Sequence, residues 1–129
     1  MRQRYPNFKN RLRKRWNGYT RLPDGDHAFI APSKLQGYLL SGTHPAGQSK
    51  VKFFRTVGFN ETTLPILQAG LLSIAKECEV TQVSSSPHGM KYVIDGSLST
   101  PAGHVVSIRT IWIIDTGQDT PRFVTAYPQ

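Results

Sequence analysis

The sequence predicts an α+β fold, with N-terminal helices packed on a four-stranded antiparallel β-meander, and three observations carry that expectation. Apolar residues recur at helical spacing as far as Glu79, and from Val80 onward Val, Ile, Thr and aromatic residues alternate instead. Four strand-like runs then follow one another, separated by turn residues. The links between these runs are too short for the crossovers that parallel strands need. Helices therefore come first and one sheet follows, each layer covering the other.

The elements can be justified in order. "LPDGDHAFIAPSKL" (Leu22 to Leu35) is turn-rich and separates an N-terminal arm from the body. In "APSKLQGYLLSG", Pro32 suits an early helical position, Leu35, Tyr38 and Leu39 make an i, i+3, i+4 stripe, and Gly42 is a stop. A second short helix is expected from about Ser49, with Val51, Phe53, Phe54 and Val57 apolar and Gly58 as its C-terminal cap. A third starts near Leu64-Pro65 and runs to about Glu79, with Leu64, Leu67, Leu71, Leu72 and Ala75 at helical spacing.

The strands are "EVTQVSSS", "HGMKYVIDGSL", "GHVVSIRTIWIID" and "RFVTAYP", with hairpin connections at Ser99–Gly103 and Thr116–Pro121. In the third run, Val106, Ile108, Thr110, Trp112 and Ile114 share one face, and Val105, Ser107, Arg109, Ile111 and Ile113 the other. Both faces are largely apolar, which predicts a central strand. Arg109 is the anomaly, because a charge there needs a ligand, a route to solvent, or a partner such as Asp95 or Asp115. In the last run, Arg122, Val124 and Ala126 alternate with Phe123, Thr125 and Tyr127.

Composition narrows the function classes. The 129 residues suffice for one domain, and 38% apolar with 19% charged residues is ordinary for a globular protein. No apolar run approaches the roughly 18 residues of a membrane span. "MRQRYPNFKNRLRKRW" is basic throughout and holds no signal-peptide core. The single Cys78 excludes an internal disulfide and fits a reducing, cytoplasmic site of action. The net charge of +8 is unevenly placed. Arg2, Arg4, Lys9, Arg11, Arg13, Lys14, Arg15 and Arg21 precede the first carboxylate, Asp24, after which Lys/Arg and Asp/Glu balance. Residues 1–21 thus form a basic arm and residues 22–129 a formally neutral domain. With Tyr5, Phe8, Trp16 and Tyr19 interleaved, the arm suits phosphate contact and base stacking, Arg13 and Arg15 among the contacts. The alternative is a solvated tail, or one that docks on an acidic partner.

The candidate chemistry is what remains after exclusion. The histidines (27, 44, 88 and 104) are scattered without metal-ligand spacing, so neither a metal nor a cofactor is expected. P-loop, dinucleotide and G-x-S-x-G patterns are missing, and the carboxylates are unpaired, which argues against glycosidase chemistry. A basic, hydroxyl-rich, histidine-containing set suits metal-independent RNA cleavage, in which the 2′-hydroxyl attacks phosphorus. His44 lies in a polar Thr-His-Pro-Ala-Gly loop and is the acid/base candidate; its alternative is a loop histidine bonded to backbone. Lys50, in the first turn of a helix, joins free backbone amides in a phosphate site, or is an ordinary surface lysine.

Taken together, "HAFIAPSKLQGYLLSGTHPAGQSKVKFFRTVGF", "HGMKYVIDGSL", "RTIWIID" and "PRFVTAYP" resemble an uncharacterised bacterial domain family. That family carries "KL-x-x-YLL", an "HP-x-G-x-x-K" turn and a closing "PR-x-VTAYP" strand, and it is similar in layout to the barnase–EndoU–colicin–RelE group of ribonuclease toxins. The resemblance covers about residues 22–128 and implies an endoribonuclease toxin or effector acting on cellular RNA. Such toxins are often held in check by a small, acidic antitoxin or immunity protein and carried within a larger exported protein. It points to His44, Lys50, Arg109 and Thr125 as catalytic, and to Thr110, Arg122 and Tyr127 as substrate contacts. The family turn usually continues "KA-x-F"; here Lys52 adds a further cation to the substrate set. The competing expectation is a non-catalytic module that binds nucleic acid or protein through its basic arm.

Overall fold

The change of hydrophobic period at Glu79-Val80 is a change of layer in the computed structural model, which describes residues 21–35 and 48–129, the first three of the latter as backbone alone. Strands β1 (Val80–Ser86), β2 (Gly89–Ser99), β3 (Val105–Asp115) and β4 (Arg122–Pro128) form one sheet in that spatial order. Every neighbouring pair is antiparallel. This is the expected meander, with β3 central and the two expected connections between β2 and β3 and between β3 and β4.

Helix α1 (Pro32–Lys34) is a single described turn that opens on its proline; the expected continuation through Tyr38 and Leu39 lies outside the described residues. Helix α2 (Gln48–Thr56) ends as its sequence requires. Gly58 has φ 106°, its N–H donates to the Arg55 carbonyl (3.1 Å), and the Phe59 N–H donates to the Phe54 carbonyl (2.9 Å). These are the two bonds of a Schellman cap. Helix α3 (Leu64–Glu77) stops two residues short of the expected end, because Cys78 is already extended (φ −96°, ψ 154°). No described helix is long and apolar enough to cross a membrane.

Helix α3 buries Leu67, Leu71, Ile74 and Ala75 and lies over β2 and β3. Two glycines permit the close approach. A Cβ on Gly70 of the helix would come within 2.3 Å of Leu98 Cδ1, and one on Gly96 of β2 within 2.8 Å of Ile74 Cγ1. Helix side chains thus fill the space above a bare strand position, and a strand side chain fills the space below a bare helix position. Phe54 of α2 and Val57 just beyond its end belong to the same core as Ile108, Phe123 and Ala126. Trp112 is fully buried and meets Phe123 edge to face, centroids 5.3 Å apart.

The register of β4 corrects the alternation expected from sequence. Ile111 pairs with Thr125 and Trp112 with Phe123, so Val124 has no partner and forms a bulge. Phe123 and Ala126, three residues apart, both face the helices and are 1% and 0% exposed. Only an extra residue between them allows that. Phe123 is therefore not on the face of Thr125 and Tyr127; Arg122 is, carried there by the bulge.

Candidate functional site

The face of the sheet turned away from the helices is laid out in rows. Asp95, Arg109 and Tyr127 stand side by side across β2, β3 and β4. Val93, Ile111 and Thr125 form the next row, and Lys91, Ile113 and Arg122 the one beyond. Cross-strand partners point to the same side of a sheet, so Arg109, Arg122, Thr125 and Tyr127 share this outer face. Alternation alone left that relation open, because it does not give the register.

Both arginines are held by carboxylates of the same face. Arg109 donates from Nε to Asp95 Oδ1 (2.8 Å) and from Nη2 to Asp95 Oδ2 (2.9 Å). Gln129 Nε2 also donates to Asp95 Oδ2, at 2.9 Å. Arg122 donates from Nε to Asp115 Oδ2 (2.7 Å) and from Nη2 to Asp115 Oδ1 (3.0 Å). Of the two partners open to Arg109, Asp95 is the one realised. The arginine hydrogen bonds hold both carboxyls below the usual carboxylate range. Asp95 first, and Tyr127 in addition, raise the pKa of Arg109.

This geometry restricts what the face can do. A side-on bidentate pair locks the guanidinium plane and leaves the Nη1 donors for another acceptor. It also cancels the charge of each guanidinium. The net charge of +8 is carried instead by the residues before Asp24.

The remaining candidates are placed as follows. Thr110 is corrected: it is fully buried on the helix side, donates to the Ile94 carbonyl (2.7 Å) and accepts from Trp112 Nε1 (2.8 Å). A hydroxyl sealed in this way touches no substrate. Lys52 is exposed on α2, in the helix layer and not on the outer face. His44, Arg13, Arg15 and the side chain of Lys50 lie outside the described residues. Helices α1 and α2, which flank the segment holding His44, both adjoin β4, the strand that bears Arg122, Thr125 and Tyr127.

Two features went unnoticed in the sequence. His27 Nδ1 lies 2.6 Å from Asp24 Oδ1, and this bond raises the imidazole pKa. Asp24 is itself in the left-handed region (φ 54°) and accepts from the Thr120 hydroxyl through Oδ2 (3.3 Å). Phe29 is 47% exposed and bridges in parallel to Arg122. The Asp-x-x-His spacing was a readable signal for the first; no local pattern announces the second. Among the described residues, no group of three or more His, Cys, Asp or Glu side chains is placed to hold a metal ion.

Fold and site together define a class: a single helical layer on a four-stranded antiparallel meander, whose open face carries carboxylate-locked arginines. The chain belongs to the family described as "Domain of unknown function (DUF6883)", whose model matches residues 21–129. It is also similar in fold to a chain of a "Contact-dependent growth inhibition toxin - immunity protein complex" from Klebsiella pneumoniae 342. That likeness has a TM-score of 0.64 at 11% identity and covers 82% of this chain and 97% of the other. A search of curated proteins found no relative.

Proposed function

We propose that this chain is a metal-independent endoribonuclease, the toxic domain of a larger exported protein that acts on RNA in the cytoplasm and is restrained by a small acidic immunity protein. The carrying observation is the assembly of Arg109, Arg122, Thr125 and Tyr127 on one face of the sheet. The fold of a chain from a toxin–immunity complex supports it.

In this reading His44 transfers the proton, from a segment whose two flanking helices border β4. A base takes the proton of the 2′-hydroxyl, the oxygen attacks phosphorus, and an acid protonates the departing 5′-oxygen. The products are a 2′,3′-cyclic phosphate and a 5′-hydroxyl, and no external reagent is consumed. Arg109 and Lys50 meet the charge of the phosphorane, while Thr125 and Tyr127 orient the phosphate. Arg122 contacts the chain beside the reacting phosphate, and Arg13 and Arg15 bring RNA to the face; Lys52, in the helix layer, is not among the contacts of this face. Thr110 has no part in it.

The test is total RNA incubated with the full chain in EDTA. Wild type should cleave, and His44→Ala should lower the rate by about 10²–10⁴-fold without unfolding the protein. Undiminished cleavage by His44→Ala would remove the assignment. No cleavage by wild type, with retained binding to RNA or to an acidic protein, would favour the non-catalytic module instead. The carboxylate-neutralised arginines give that second reading its support.

A further inference from the structure

Phe29 is a large apolar side chain left 47% exposed, yet its backbone is held firmly. Its N–H donates to the Pro121 carbonyl at 3.1 Å, and its carbonyl accepts from the Phe123 N–H at 2.9 Å. These two bonds flank Arg122 and make Phe29 its parallel bridge partner. Bridge partners project to the same side of a sheet, so Phe29 extends the row Lys91, Ile113, Arg122 by one position. Within that row Ile113 is only 3% exposed although it stands apart from the helix-side core.

Arg122 beside it is not free to turn. Its Nε and Nη2 are committed to Asp115, and no described residue accepts from Nη1. A ring with an open face thus stands one strand spacing, about 4.8 Å, from an arginine with donors to spare. Farther along β4, Thr125 and Tyr127 continue on the same face, two and four ladder positions from Arg122, about 7 and 13 Å away at roughly 3.3 Å per residue. The arrangement offers an aromatic surface beside a fixed fork of donors.

We propose that Phe29 is a base-stacking residue, and that the base it takes belongs to the nucleotide whose phosphate meets Arg122, so that single-stranded RNA runs along β4 from Phe29 toward Tyr127. This rests on the ribonuclease reading and adds a residue and a direction to it. Stacking on an aromatic ring is tolerant of base identity, because every base has a π-face.

The test uses the full chain and two labelled probes of equal length, a 2′-O-methyl oligoadenylate, which lacks the attacking hydroxyl, and the same backbone without bases. Phe29→Ala should weaken oligoadenylate binding by about 5- to 150-fold and leave the abasic probe unchanged, since stacking contributes only where a base is present. Phe29→Trp should restore binding and report the base through quenching of the new indole. Equal weakening of both probes, or of neither, overturns the stacking role while RNA cleavage by wild type keeps the ribonuclease reading intact. Loss of affinity for an acidic protein partner with oligoadenylate binding intact overturns it too, and makes Phe29 a protein contact. If wild type neither binds oligoadenylate nor cleaves RNA, both proposals fall together.

Discussion

Replacing Thr110 by Val tests whether this residue serves the core or the substrate. Its hydroxyl is the acceptor for the buried Trp112 indole N–H at 2.8 Å and donates to the Ile94 carbonyl at 2.7 Å. Valine keeps the shape and deletes both bonds, leaving an indole donor in a site with no access to water. A buried group so orphaned costs about 1–3 kcal/mol. With a urea m-value of about 1–3 kcal/mol/M, that moves the midpoint by about 1 M. Equilibrium unfolding followed by far-UV circular dichroism reads the shift. Thr110→Ser, which keeps the hydroxyl and loses one methyl, should cost only about 0.5–1.5 kcal/mol. In a Trp112→Phe background the Thr110→Val penalty should shrink, because no indole N–H is left to orphan. A Thr110→Val protein within about 0.3 kcal/mol of wild type, or a penalty unchanged by Trp112→Phe, would refute this account.

Other outcomes follow from the same geometry. Gly96→Ala places a Cβ 2.8 Å from Ile74 Cγ1 and 3.2 Å from Cys78 Sγ, and overpacking of that kind costs about 1–3 kcal/mol, visible as a lower Tm. In an Ile74→Ala background, which removes both clashing γ carbons, the Gly96→Ala penalty should shrink. Asp95 and Asp115 have folded pKa values below their unfolded ones, so their contribution to stability is present above about pH 4 and lost as pH falls through the folded values. A Tm profile from pH 2 to 5 should rise with pH, and Asp95→Asn should flatten it; an unchanged slope would mean the pair carries no linkage. Deleting residues 1–20 should weaken RNA affinity and flatten its salt dependence while single-turnover cleavage survives, and an unaltered salt slope would discharge the arm from that role.

Much of the architecture was legible because it depends on period. The stripes ending at Glu79 and the alternation after Val80 foretell helices and strands whatever their partners, and Gly58 marks a helix end by its φ alone. The faces of β3 were legible for the same reason, including the burial of Trp112. The site was less so. Thr110 and Arg109 are adjacent polar residues on one strand, and nothing local says which one meets the core. The answer lies across the ladder on β2, the Ile94 carbonyl for one and the Asp95 carboxylate for the other. Phe29 reaches the outer face through a bridge to a strand more than ninety residues later, a relation no window of sequence contains.

The unpaired Val124 has a further consequence. It divides β4 into two half-strands that are out of step, with Arg122 and Phe123 on one side and Thr125 to Tyr127 on the other. Drawing Val124 into the ladder would bring the halves into phase and turn Phe123 toward water and the Arg122 guanidinium toward the helices, whereas deleting it would leave both where they are in a regular strand. Whether this one residue stays outside the ladder therefore decides whether the outer face keeps its second arginine. A relative one residue shorter here would present the same face from a regular strand, without the local kink.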